Sequence, residues 1–198
     1  MTTDKMHLPT YRLAIFASGN GSNAEALIRY FAAHAQIEIV LVVCNKPDAL
    51  VLSKAKNLGV PTHLLARESF YNSTDLLEVL EQHQVNACIL AGFLWLVPSY
   101  LLAAFPNKVI NIHPALLPKY GGKGMYGMKV HEAVHAAQEK ETGITIHLAD
   151  EHYDEGNIIK QATCALDETD TPETIAAKVH ALEYDYFAPS IEHYLLQE

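Results

Sequence analysis

The 198-residue sequence has no run of basic residues, and its 14 Lys+Arg stand against 23 Asp+Glu, a formal charge of −9. A field of that sign repels polyanions, so nucleic acid is not an expected partner. A single phosphate group is still admissible, because a few aligned backbone amides can hold one whatever the net charge. No apolar stretch approaches the roughly 20 residues that a bilayer span needs, and the N-terminus lacks the charged-then-apolar pattern of a signal peptide. A soluble chain without membrane association is expected. Cysteine is scarce: Cys44, Cys88 and Cys164 are odd in number and widely spaced, which reads as reduced core thiols of a cytoplasmic protein. Repeats, low-complexity tracts and interdomain linkers are missing too. With 49% apolar residues, the expectation is one domain over residues 1–198, a monomer or homodimer, with a full core of its own.

What is present is an alternation of apolar runs and amphipathic segments. RLAIFA precedes a helical pattern over residues 23–34, and IEIVLVV precedes one over 48–58. PTHLL precedes another over 74–83, and ACILA is followed by a helical turn at 99–105 and then by VINI. Short runs that are apolar throughout and separated by helices are how strands of a parallel sheet covered on both faces appear. The fold class is therefore a doubly wound α/β sheet. Residues 12–110 form its first half, and the second half, 111–198, changes character. A Gly- and Pro-rich loop (114–127) leads to a helix ending near 139. TGITIHLA alternates like a half-exposed strand, NIIKQATCAL offers a partner, and the pair predicts an antiparallel hairpin at the sheet edge. A last helix is opened by Thr171-Pro172-Glu173 and runs towards residue 196.

Four motifs carry chemistry. SGNGSN (18–23) lies between the first strand and the first helix. Its glycines and short polar side chains suit a sharp turn that aims amides at an anion, although it is neither GxGxxG nor a P-loop. HEAVH (131–135) matches the HExxH zinc-protease pattern but lacks the longer HxxGxxH extension. The bland reading, an exposed histidine-bearing helix face, is preferred to zinc. In VINIHPALLPKY (109–120), Asn111 and His113 are spaced i, i+2 at the end of a strand. They share one face at the strand's C-terminal end, where open α/β sheets collect ligands. An amide can donate to a developing oxyanion while an imidazole moves a proton. DEHYDEG (150–156) offers a carboxylate to hold the His113 tautomer and raise its pKa. Spacing leaves Asp150 and Asp154 equally eligible.

In SGNGSN, AGFLWLV, NIHPALLPKYGG and the D-x-G of Asp154-Glu155-Gly156, the chain resembles the phosphoribosylglycinamide formyltransferases, folate-dependent enzymes of purine biosynthesis. The likeness runs from Leu13 to the last helix. It implies Asn111, His113 and Asp154 as catalytic residues, with Asp154 tuning the imidazole. Gly21, Ser22 and Asn23 would hold the phosphate of glycinamide ribonucleotide, and Glu183 would contact the same substrate. Leu94, Trp95, Leu96 and Val97 would line the pterin pocket for 10-formyltetrahydrofolate, beside Asn111 and the loop from Asp150. No metal is implied. Relatives carry a basic residue where this chain has Trp95, and a second near positions 71–74, where none occurs here. Lys123 and Lys129 are the candidate replacements. Methionyl-tRNA formyltransferases and formyltetrahydrofolate hydrolases share this core, but carry a C-terminal RNA-binding domain and an N-terminal regulatory domain respectively. Neither addition is expected in this chain.

Overall fold

Val- and Ile-rich runs lose little by extending, because branched side chains pack well on a pleated surface, and the amphipathic stretches between them cover the faces so formed. The computed structural model describes residues 11–197. Along it come β1 (Tyr11–Ala17), α1 (Ser22–Phe31), β2 (Ile37–Cys44), α2 (Leu50–Asn57), β3 (Thr62–Leu64), α3 (Arg67–Asn72) and α4 (Asp75–Gln82). Then follow β4 (Ala87–Leu90), α5 (Ser99–Ala104), β5 (Val109–His113), α6 (Met128–Ala136), β6 (Glu141–Leu148), β7 (Ile158–Ala165) and α7 (Pro172–Leu196). The seven strands form one sheet in the order β3-β2-β1-β4-β5-β6-β7. The first five are mutually parallel, and β6 and β7 are antiparallel to their neighbours. The chain builds outward from β1 to β3, then crosses back to place β4 on the other side of β1. That reversal makes a topological switch point, where the C-terminal ends of β1, β4 and β5 open on a common crevice.

Alternation along β1 divides the core. Leu13, Ile15 and Ala17 face a cluster completed by α1, α2 and α7, with Leu27, Val51, Val179 and Phe187 buried in it. Ala14 and Phe16 face a second cluster with Phe70 of α3, Leu76 and Leu80 of α4, and Leu101 of α5. Cys44 and Cys88 are buried in these clusters as free thiols, and Cys164 is half-buried. Burial pushes the Cys88 thiol well up, which makes it inert. The long α7 begins with a reciprocal capping box between Thr171 and Thr174 and carries Pro172 in its first turn. No helix among the described residues is long and apolar enough to cross a membrane.

Two features depart from the sequence reading. The six-residue α3 was not expected, because ARESFYN is too short to show a helical period. And β6 is not half-exposed: Thr142 to His147 are buried without a break. One face of β6 presents Ile144 and Ile146 to the first core cluster. The other lies under the loop that follows β5. There Thr145 Oγ1 donates to the Ala115 carbonyl (2.7 Å) and accepts from Leu117 N–H (3.0 Å) and Gln161 Nε2 (2.9 Å). An alternating pattern results either from a solvated face or from a face whose polar groups are paired internally, and here it is the second.

Thr145 therefore pins the Pro-bracketed loop onto the sheet. Thr145→Val keeps the shape but strands a buried amide and a buried carbonyl, and is expected to lower stability by about 1–3 kcal/mol. Urea denaturation of the variant and the wild-type protein checks this.

Candidate functional site

At the C-terminal end of β1 the chain turns through residues 18–21 into α1. Ser18 ties this turn to the segment after β4: its N–H donates to the Gly92 carbonyl (3.1 Å) and its Oγ accepts from Leu94 N–H (3.0 Å). Gly21, the residue before α1, has φ +73°, and a Cβ on it would stand 2.5 Å from Val51 Cγ2 and 2.9 Å from Val51 Cα. Only glycine fits there. The first helical bond runs from Glu25 N–H to the Gly21 carbonyl (2.9 Å), and no side chain caps the helix. The N–H groups of Ser22, Asn23 and Ala24 thus point out of the helix at its positive end.

A second group of residues meets where β5 ends. Antiparallel pairing sets Asn111 opposite His147 and His113 opposite Thr145. Asn111 Nδ2 lies 2.9 Å from His147 Nε2 and 3.4 Å from Asp154 Oδ1. The His147 Nδ1–H donates to the Leu148 carbonyl (2.9 Å), which leaves Nε2 as the acceptor of one Asn111 amide hydrogen. His113 Nε2–H donates to the Tyr120 carbonyl (2.8 Å), and its Nδ1 stands 3.4 Å from Asp154 Oδ2. These tautomers follow from the partners each nitrogen has. The fixed Nε2–H makes Nδ1 the nitrogen that gains and loses a proton.

Of the two carboxylates left open by spacing, Asp154 is the one that reaches His113. Asp150 turns back to accept from His152 N–H (2.9 Å). Asp154 sits in left-handed backbone at φ 62°, and its Oδ2 accepts from Gly122 N–H (2.9 Å). Gly156 explains the D-x-G spacing: a Cβ there would stand inside the van der Waals radius of the Leu148 carbonyl oxygen, so a side chain would lift the loop off β6. Burial resists ionisation of Asp154, yet His147, His113 and the Gly122 amide together hold its carboxyl below the ordinary range. The expectation that His113 would have a raised pKa is corrected. Burial lowers it more than Asp154 and the Tyr120 carbonyl raise it, and the net shift is downward. The desolvation of a nearly enclosed ring outweighs one carboxylate at 3.4 Å.

Both groups line one cavity of about 640 Å³. Gly21, Ser22, Asn23, Leu94, Trp95, Leu96, Val97, Asn111, His113, Asp150, Asp154 and Glu183 all contribute to its wall. The Asn23 side chain donates one amide hydrogen to Glu183 Oε2 (3.0 Å), while its backbone N–H lies at the uncapped end of α1. Trp95 belongs to an aromatic group with Phe70, Tyr71 and Phe93, ring centroids 5.5–6.1 Å from it. Over this group lies Arg67 of α3, 5.3 Å from the Tyr71 ring and 5.4 Å from that of Trp95. A basic side chain thus stands beside Tyr71, on the helix that the sequence pattern concealed, although it does not line the cavity. Lys123 lines the cavity, whereas Lys129 stacks on Tyr126 at 4.7 Å. HEAVH does not converge on a metal: His131 is buried in the cavity wall, while Glu132 and His135 are exposed. Sequence reasoning passed over His147 as well. Its signal was the i, i+2 spacing from Thr145 on the strand that pairs with β5.

A family model described as formyl transferase matches residues 11–191. The chain belongs to the formyl transferase family. Phosphoribosylglycinamide formyltransferase of Bacillus subtilis (strain 168) is 38% identical over 190 residues, covering 93% of this chain and 94% of that protein. The chloroplastic phosphoribosylglycinamide formyltransferase of Vigna unguiculata is 37% identical over 188 residues, covering 91% of this chain. The chain spans about 60% of that plant protein's length. Among solved structures, phosphoribosylglycinamide formyltransferase from Bacillus halodurans superposes with a TM-score of 0.82 at 35% identity, covering 93% of this chain and 95% of that one. The sheet order and antiparallel edge described above are thus those of a formyl transferase fold.

The charge state of this family member's buried imidazole can be tested directly. His113 should titrate below the ordinary histidine value of about 6.5, and lower still in Asp154→Asn, since Asp154 is the largest influence raising it. By linkage, folding is disfavoured progressively as pH falls from about 6.5 to the lower folded value, because only the unfolded chain binds that proton readily. NMR titration of the His113 ring in both proteins measures the shift, and an unchanged curve in Asp154→Asn would place the controlling charge elsewhere.

Proposed function

We propose that this chain transfers the formyl group of 10-formyltetrahydrofolate to the amine of glycinamide ribonucleotide, yielding formylglycinamide ribonucleotide and tetrahydrofolate. The observation that carries the reading is one cavity with three kinds of wall. It has uncapped amides of α1 at one place, an apolar strip from Leu94 to Val97 at another, and the Asn111, His113 and Asp154 side chains between. A phosphate-bearing amine and a formyl donor with a flat ring system would meet over that group. The names of the relatives above support the same substrates.

In this reading the amide nitrogens of Gly21, Ser22 and Asn23 hold the phosphate, and Glu183 orients the ribonucleotide. The pterin lies along Leu94, Trp95, Leu96 and Val97, with the backbone near Asp150 offering polar partners. Arg67, resting on Trp95 and Tyr71, faces the carboxylates of the folate tail. As the amine attacks the formyl carbon, negative charge grows on the formyl oxygen. Asn111 has one amide hydrogen bound closely to His147 and a second held only at 3.4 Å by Asp154. That second hydrogen is the one released to the oxyanion. One such donor in a site closed to water is worth about 3 kcal/mol. His113 Nδ1, beside Asp154, takes the proton from the attacking amine, and its protonated form delivers it towards the departing folate nitrogen. Burial keeps the imidazole neutral and ready to accept, while the carboxylate stabilises it once charged.

Three outcomes are expected. The protein with 10-formyltetrahydrofolate and glycinamide ribonucleotide should give formylated ribonucleotide, and omission of the ribonucleotide should give no release of tetrahydrofolate. Release without the ribonucleotide would make the protein a hydrolase. Asn111→Ala should lower kcat by on the order of a hundredfold or more, measured in the steady state. His113→Ala should abolish transfer while the ribonucleotide still binds, as calorimetry would record.

A further inference from the structure

The imidazole and the carboxylate at the centre of the site are both held from behind by residues 120–122. The Tyr120 carbonyl accepts from His113 Nε2–H (2.8 Å), and Gly122 N–H donates to Asp154 Oδ2 (2.9 Å). A shift of this segment would carry the two catalytic groups out of line with each other. The segment belongs to no helix or strand. Tyr120 has φ 56°, left-handed backbone that an aromatic residue rarely adopts without support. Gly121 beside it lies so close to the loop that a Cβ would stand 2.5 Å from Leu117 Cδ2 and 3.3 Å from Asp154 Cβ. That packing sets the depth of the segment. It does not set where the Tyr120 carbonyl points.

Glu139, outside the cavity wall, supplies the second hold. It follows α6 at the turn into β6, where Gln138 bends the chain in left-handed backbone (φ 51°) and Glu139 N–H donates to the Val134 carbonyl (3.4 Å). Its Oε1 accepts from Tyr120 OH (2.8 Å) and from Lys119 Nζ (2.9 Å). The Lys119 side chain is 67% exposed, and an ion pair so open to solvent is readily replaced by water. The Tyr120 bond is different, because it acts through a rigid ring that packs on the first core cluster. One residue thus spans two elements, its hydroxyl on the α6–β6 turn and its carbonyl on the imidazole of β5. Hydrogen bonds from Lys119 and Tyr120 hold the Glu139 carboxyl below its ordinary range against the effect of burial. Burial and Glu139 together raise the Tyr120 hydroxyl, so it keeps its proton and donates.

We infer that Glu139 is a positioning residue of the transfer: through the Tyr120 ring it aims the carbonyl that holds His113 Nε2–H, and so keeps Nδ1 as the basic nitrogen. This rests on the transferase reading above and adds to it a residue remote from both substrates. The reason lies in the tautomers. A neutral imidazole has one proton for two nitrogens, and the hydrogen bond at one decides which of them is the base. With Nε2–H held by Tyr120, Nδ1 is free to take the amine proton. With the carbonyl displaced, the proton is drawn to Nδ1, where Asp154 Oδ2 stands 3.4 Å away. The base is then on the wrong side of the ring.

The test combines steady-state kinetics of the full chain, with 10-formyltetrahydrofolate and glycinamide ribonucleotide, and heteronuclear NMR of the histidine ring nitrogens. Glu139→Ala and Tyr120→Phe should each lower kcat roughly tenfold while KM for either substrate stays within about twofold of wild type. The double variant should be no slower than either single one, because both remove the same bond. Glu139→Gln keeps an oxygen for the Tyr120 hydroxyl and should restore kcat to within about threefold of wild type. In the wild-type protein the neutral His113 ring should carry its proton on Nε2, and in Glu139→Ala and Tyr120→Phe part of it should move to Nδ1. The His113 titration should also fall in both, since the Tyr120 carbonyl is, after Asp154, what raises it. Burial, Asp154, His147 and Glu183 act on that ring in every variant alike. A lowered kcat with a wild-type His113 spectrum overturns the inference, as does a wild-type kcat in Tyr120→Phe, which removes one oxygen and keeps the ring; that variant decides alone where Glu139→Ala does not fold. Glu139→Gln as slow as Glu139→Ala overturns the path through Tyr120. No transfer by the wild-type protein overturns the transferase reading, while the nitrogen spectra still decide whether Glu139 sets the His113 tautomer.

Discussion

One carboxylate holds the centre of this molecule together. Asp154 accepts from Gly122 N–H, receives the loose hydrogen of Asn111, and stands within 3.6 Å of ring nitrogens of two histidines, His113 and His147. Those partners come from β5, from β6 and from the loop after β5, segments that the sheet brings near one another but does not align by itself. A buried charge without partners is expensive, and one with four groups around it is tolerable only in a narrow geometry. The same electrostatics that make the carboxylate costly to misplace make it an effective clamp.

The rest of the fold can be understood as support for that clamp. Reversal of strand order beside β1 opens a crevice at the ends of β1, β4 and β5. The antiparallel β6 runs back along β5, and the 150–156 loop that follows it sets Asp154 against Asn111 and His113. Thr145 fixes the loop above β6, and Gly156 allows the lower loop to settle on the Leu148 carbonyl. The first of these contacts lies on the buried polar face of β6, which a solvated face could not offer; the second lies at the end of the strand.

That face also marks the limit of what the sequence conveys. The order of strands and helices was legible because buried parallel strands are apolar throughout and helices are periodic. Asn111 and His113 were legible because a strand forces i, i+2 residues to one side. The choice of Asp154 over Asp150 came from the D-x-G resemblance and not from spacing, since it depends on a left-handed residue and on a glycine pressed against a carbonyl several residues upstream. His147 was hidden for the same reason that β6 was misread: internally paired polar residues alternate just as solvated ones do. Arg67 was hidden because its helix is only six residues long, and its partner Trp95 is remote in sequence.

The pKa of His113 shows why burial and carboxylate have to be considered together. A carboxylate alone would leave the ring protonated in the resting protein and unable to accept from an amine. Burial alone would make the protonated ring too costly to form at all. With desolvation the larger influence and Asp154 the counterweight, the resting ring is neutral, while the charged form, once made, has its partner already in place. In the proposed reaction this is the condition that a single imidazole must satisfy to take a proton at attack and give it back at departure. The Tyr120 carbonyl, by occupying Nε2–H, confines the exchange to the nitrogen that Asp154 faces.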